Sequence, residues 1–199
     1  MGTTMTQRRP LSSAERGFTL VESMIAIAIL TIGILSMAAV LGLSVGKTEY
    51  AEENLIARQK ALQALESVYT ARNTSQITFA QIANTPNGIF TQGATPLLCA
   101  GPDGLVNTTD DVACPASGPC AAGPECVVLP GPDGILGTAD DLAMSLSNFT
   151  RSIAISNVLE ADGVTVNPTL KSITVTITFA QSGAAPQTYT VQALISAYN

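Results

Sequence analysis

Histidine is absent from all 199 residues, and so is tryptophan. Without imidazole the chain lacks the commonest general base, the usual nitrogen ligand for metals, and any Ser/His/Asp or Cys/His machinery. Charge is scarce as well. Only 12% of residues are charged, against 46% hydrophobic, and aromatics make up 5%. Before Phe18, Arg8, Arg9 and Arg16 against Glu15 leave +2, so a formal net charge of −6 puts −8 on the remainder. A phosphate footprint needs clustered Lys and Arg, so no direct nucleic-acid binding is expected. Together these absences lower the expectation of an enzyme.

Charge is most completely missing from Phe18 to Gly46, where Glu22 is the only ionisable side chain in 29 residues. A helix needs roughly 20 apolar residues to cross a bilayer. No proline interrupts this run, and Gly33, Gly42 and Gly46 are of a kind tolerated where membrane helices approach one another. The run is too long for the apolar core of a secretory signal peptide, and no clean Ala-x-Ala site follows it. The arginines ahead of it place the N-terminus on the cytoplasmic side.

Beyond Gly46 the stretch 47–73 (KTEYAEENLIARQKALQALESVYTARN) is polar, rich in good helix formers and free of Gly and Pro. Ala51, Leu55, Leu62, Leu65 and Tyr69 fall 4, 7, 3 and 4 residues apart, which predicts one helical face against a soluble domain. One helix is therefore expected from about Phe18 to about Arg72, roughly 80 Å long at about 1.5 Å per residue.

RGFTLVESMIAIAILTIGIL (16–35) resembles the class III leader junction of type IV pilins and type II secretion pseudopilins. Gly17, Phe18 and Glu22 have the identity and spacing of that pattern. The stretch 29–40 (ILTIGILSMAAV) is most similar to PilV-type minor pilins, with GspI-type pseudopilins next. The resemblance implies cleavage between Gly17 and Phe18 by a prepilin peptidase, followed by N-methylation of Phe18. It implies assembly with other major and minor pilins on an inner-membrane platform. It also supplies a partner for Glu22: the N-terminal ammonium of a neighbouring subunit. A buried carboxylate needs such a partner, and the pair would act as a register device. Gly17 fits the junction physically, because it presents no side chain to the peptidase.

The fold expected is α+β and type IV pilin-like: the helix of about 18–72 packed on a C-terminal antiparallel sheet, with a long irregular loop between them. The segments are a leader (1–17), an apolar membrane or filament-core helix (18–46), an amphipathic continuation (47–73), a loop region (74–147) and the sheet (148–199). Three strands are legible. Ile173, Val175, Ile177 and Phe179 alternate with Ser and Thr in 172–179. Tyr189, Val191, Ala193 and Ile195 alternate in 188–196. Phe149, Arg151, Ile153 and Ile155 share one face of an earlier strand. The stretch 181–187 reads as a hairpin loop.

The loop region contains an internal repeat. GPDGLVNTTDD (101–111) and GPDGILGTADD (131–141) stand thirty residues apart. Gly-Pro-Asp-Gly is turn chemistry. Asp103, Asp110 and Asp111, with Asp133, Asp140 and Asp141, are six of the seven aspartates in the chain. Clustered carboxylates on glycine-rich loops suit Ca²⁺, and the phrase resembles the acidic calcium loop of type II secretion major pseudopilins. The spacing is not that of an EF-hand. The alternative is a pair of solvated turns.

Cys99, Cys114, Cys120 and Cys126 lie past the membrane segment, on the exported and oxidising side, where disulfides are the default. Three connectivities are open; proximity favours Cys99–Cys114 and Cys120–Cys126. The spacings of 15, 6 and 6 lack the close pairs of a Cys₄ zinc site.

The expectation is a non-enzymatic, PilV-like minor type IV pilus subunit, acting in pilus assembly, priming or adhesion. It would be single-pass in the inner membrane and then reach the cell surface. The alternatives are a minor pseudopilin of a type II secretion system and a membrane-anchored calcium-binding protein that never polymerises.

Overall fold

The computed structural model describes residues 19–180 and 185–198, with the side chains of Val45 and Gly46 left out of account. The leader, Gly17, Phe18 and most of the expected 181–187 loop lie outside the described residues. Two compact units are present, one ending at Thr48 and one running from Glu49 to Asn199.

The first unit holds the apolar half of helix α1 (Leu20–Asn73). Every described side chain from Thr19 to Ser44 is exposed. Leu20, Ile32 and Leu43 keep 78%, 68% and 71% of their surface, so this half has apolar surface on every side and no protein core to face. It is the one helix among the described residues long and apolar enough to cross a membrane.

In the second unit the remainder of α1 joins six strands: β1 (Thr95–Pro96), β2 (Cys126–Leu129), β3 (Leu142–Ser145), β4 (Phe149–Leu159), β5 (Val166–Phe179) and β6 (Gln187–Ser196). β4, β5 and β6 form the expected antiparallel meander, with Ile153 opposite Val175 and Val175 opposite Val191. The two-residue β1 adds a fourth strand beside β4, and β2 with β3 forms a separate hairpin. The α+β architecture is that of the pilin-like expectation. β5 begins six residues earlier than the alternation suggested, because Val166 pairs with Leu159 across a turn held by Asp162.

The alternating positions bury as read: Phe149, Ile153, Ile173, Val175, Ile177 and Phe179 are all at 0% exposure. The helix face differs from the sequence expectation. Ala51, Leu55 and Leu62 are exposed, Leu55 at 64%, while Leu65 and Tyr69 are only half-buried. The buried face is Ile56, Ala57, Ala61, Ala64, Val68 and Ala71, which join the sheet residues in one cluster. Alanine lets a helix backbone lie close to a sheet, and a search for large apolar residues at helical spacing passes over it.

Short polar tethers complete the packing. The Tyr69 hydroxyl donates to the Leu194 carbonyl at 2.5 Å and Arg72 donates to the Ala197 carbonyl at 2.6 Å. Where β1 ends, the Asn84 side chain continues its role on the edge of β4, accepting from the Ile155 N–H and donating to the Ile153 carbonyl, both at 2.7 Å. A sheet edge with unpaired backbone groups is a liability, and Asn84 covers part of this one.

Candidate functional site

The N-terminal end of α1 is the first candidate. Thr19 stands just ahead of the helix, and its hydroxyl accepts the Glu22 N–H at 3.2 Å. Thr19-Leu20-Val21-Glu22 thus has the sequence of a capping box, with the acidic residue at the third helical position, where the helix dipole also favours it. Glu22 is exposed, on a segment whose other side chains are uncharged. The spacing from Thr19 to Glu22 made this cap readable from sequence, yet the apolar context drew attention only to the carboxylate. Gly17 and Phe18 lie immediately ahead of this cap, outside the described residues.

Residues 12–38 match the model of the prokaryotic N-terminal methylation motif. The chain carries a prepilin-type N-methylation motif. The motif is that of prepilin-type proteins, the type IV pilins and pseudopilins among them; it covers 27 of the 199 residues and runs into the apolar half of α1, which supports a membrane-anchored pilin-like or pseudopilin subunit. The motif implies processing by prepilin peptidase and assembly with pilin machinery. Neither a curated protein nor a solved structure matches the chain significantly.

The second candidate in this prepilin-type chain is its acidic loop region. Cys99 is bonded to Cys114 and Cys120 to Cys126, leaving no cysteine with a thiol for zinc. The first disulfide closes the first GPDG loop at its base, where Cys99 and Val112 exchange two backbone hydrogen bonds of 3.0 Å. The second loop caps the β2–β3 hairpin, just beyond the Leu129–Leu142 pair.

The two loops share four side-chain hydrogen bonds. Asp103 Oδ1 accepts the Leu105 N–H and Asp133 Oδ1 the Ile135 N–H, each at 2.8 Å. Asp110 Oδ2 accepts from Asp103 N and Asp140 Oδ2 from Asp133 N, each at 3.3 Å. The Thr108 and Thr138 hydroxyls donate to Asp110 and Asp140 at 2.6 Å. Asp111 and Asp141 accept the N–H of Asn107 and Gly137 at 2.7 Å. A Cβ on Gly101 or Gly131 would collide with the carbonyl of Asp110 or Asp140, so the first residue of each phrase must be glycine.

These contacts set the carboxyl acidities. The Thr108 hydroxyl, ahead of the Asp103 amide, holds Asp110 below the usual aspartate range, and Thr138 does the same for Asp140. Burial pushes Asp111 upward against the bonds it accepts from Asn107 and Thr108. All six aspartates thus serve their own loops as hydrogen-bond acceptors. Among the described residues no group of three or more acidic or cysteine side chains is placed to hold a metal ion.

A cluster that sequence reasoning missed lies beneath the disulfides. Glu125 bridges Lys60 of α1 at 2.5 Å and Arg151 of β4 at 3.2 Å. The Arg151 side chain is 2% exposed. Arg151 was legible as the odd residue on an apolar strand face; its partner, 26 residues away in a glycine- and proline-rich stretch, was not. The three side chains line a cavity of about 500 Å³ together with both disulfides.

Proposed function

We propose that this chain is a minor subunit of a type IV pilus, similar to the PilV type. It would be cleaved after Gly17, N-methylated on Phe18, and drawn into a filament through the apolar half of α1. The observation that carries this reading is the N-methylation motif continuing into a helix with apolar surface on all sides and one carboxylate in its first turn. Exposed apolar surface of that extent requires lipid or other helices as cover. A carboxylate within it requires a cationic partner or a position near water, and the methylated amine of a neighbouring Phe18 meets the first condition. The disulfide-bonded loop region would then serve priming at the tip or adhesion. Calcium has no step in this reading.

The deciding experiment is mass spectrometry of the N-terminal peptide from membrane and sheared-filament fractions. The expected result is a chain beginning at N-methylated Phe18 in both. The processed chain in membranes alone would move the assignment to a type II secretion pseudopilin. An intact Met1–Gly17 leader would remove the subunit reading.

A further inference from the structure

A second cavity, of about 620 Å³, lies where the 80–92 segment meets β4 and β5. That is within the roughly 300–1,000 Å³ of small-molecule sites. Its lining is largely polar. Asn87, Gln92 and Asn157 line it and are exposed, and among the described residues none of their side-chain amides has a hydrogen-bond partner. The part carrying Gln92 is fixed from behind. Thr91 donates its N–H to the carbonyl of the fully buried Asn107 at 2.7 Å, and the Asn107 side-chain amide donates to the Thr91 carbonyl at 3.0 Å. Asn107 belongs to the first GPDG loop, whose Leu105 is 1% exposed; the second loop, with Ile135 at 60%, does not line the cavity.

Lys171 of β5 also lines this cavity. Its ammonium donates to the carbonyls of Phe79 and Ile82 at 2.9 and 2.7 Å and lies 4.7 Å from the centre of the Phe79 ring. Those contacts hold the cation in place and leave its charge unmatched. Lys60 and Arg151 share the Glu125 carboxylate, whereas among the described residues no carboxylate pairs with Lys171. Burial alone lowers its pKa, with no carboxylate near enough to hold it up. None of the lining residues is acidic, although 73–150 carries seven acidic residues and no Lys or Arg. Along the two strands the nearest acids are Glu160 and Asp162, beyond the end of β4, and Asp162 is committed to Val164 and Thr165. A tether to a carbonyl does not need charge: Gln76 meets the Asp103 carbonyl and Asn84 the Ile153 carbonyl with neutral amides. A partly buried ammonium is a cost unless an anion shares its cavity.

We propose that this cavity binds an acidic sugar, a hydroxylated ring bearing one carboxylate. Lys171 would face the carboxylate. The amides of Asn87, Gln92 and Asn157 both donate and accept, as ring hydroxyls do, so the two sets are matched. The half-buried Ile155 offers an apolar surface to the C–H face of the ring. One ammonium balances one negative charge, and the groups around it are amides rather than further cations, which favours a carboxylate over a phosphate. The site lies wholly in the second unit and does not depend on which filament the chain enters.

The test titrates the detergent-solubilised full-length chain with glucuronate and follows the side-chain amide NMR signals of Asn87, Gln92 and Asn157. All three should shift, and glucose, which lacks the carboxylate, should bind about tenfold more weakly, the scale of a hydrogen bond to a charged group. Lys171→Gln, which keeps a donor for the loop carbonyls, should abolish that preference. Asn157→Ala, at an exposed position, should weaken both sugars by about threefold. Should Lys171→Gln fail to fold, the glucose comparison and Asn157→Ala decide alone. A trimer of glucuronate separates the sources: tighter binding than the monomer assigns a polysaccharide, equal binding a free sugar, and either upholds the site. No shift with glucuronate up to tens of millimolar, equal binding of glucose, shifts indifferent to Asn157→Ala, or equal displacement by a glutamate-rich peptide would overturn the proposal. Glucuronate binding by a chain found only with its leader intact would uphold this site while the subunit reading fell.

Discussion

Glu125 satisfies two cations through one carboxylate, and one of them, Arg151, is sealed in the core. Removing one partner of a buried pair leaves the other charged in low dielectric, at a cost of about 3–5 kcal/mol. Glu125→Ala should therefore lower the urea midpoint of the detergent-solubilised chain sharply, while Lys60→Ala, which leaves the Glu125–Arg151 pair in place, should cost much less. At the same scale the aspartates of the two loops should titrate apart. Asp110 and Asp140 have depressed acidities, so their stabilising bonds are present above the ordinary aspartate value of about 3.9 and are lost as pH falls through their lower folded values. Asp111 is raised, so its ionisation opposes folding as pH climbs through its folded value. Carboxyl-carbon NMR should show Asp110 and Asp140 titrating below Asp111; a common midpoint would contradict the loop geometry.

Among the elements, α1 tests the packing. Ala64 is 1% exposed against the sheet. Enlarging it to leucine should cost about 1–3 kcal/mol through overpacking, whereas Leu55→Ala on the exposed stripe should change monomer stability by less than about 0.5 kcal/mol. Denaturation midpoints of the two variants would check this; the opposite order would restore the larger residues as the core face. The comparison also shows what sequence could carry. β4, β5 and β6 were legible because Ile173, Val175, Ile177 and Phe179 alternate with polar residues, and a half-buried strand has no other way to be built. The start and length of α1 were legible from one uninterrupted helix-forming stretch. The buried alanines of α1 carry no strong hydrophobic signal, the two residues of β1 are set by their neighbour, and the Asn84 edge cover and the Glu125 bridge are contacts across 69 and 26 residues. At the loops, the repeat itself was legible, but the burial of one copy and the exposure of the other depend on surroundings that the shared phrase does not encode.

For the molecule as a whole, Glu22 separates a local role from an assembly role. Its N–H is capped by Thr19, an arrangement suited to the first turn of a helix. Its carboxylate is the only charge on the first unit's described residues before Lys47. Glu22→Ala should still be cleaved and inserted but be poorly recruited into filaments. Glu22→Gln distinguishes the two roles, because glutamine keeps the capping-box chemistry and loses the charge. Counting the chain in sheared filaments should find Glu22→Gln as deficient as Glu22→Ala; restoration by glutamine would reduce Glu22 to a helix-start residue.

The cysteines pair strictly in chain order, first with second and third with fourth, across separations of 15 and 6 residues. Under the proposed export of the region beyond the apolar helix, Cys99 and Cys114 would meet an oxidant before Cys120 follows, and β4 to β6 would come later still. Oxidation in order of emergence therefore reaches the native isomer directly. An oxidase alone should suffice to mature this head, and loss of a disulfide isomerase should leave its yield unchanged.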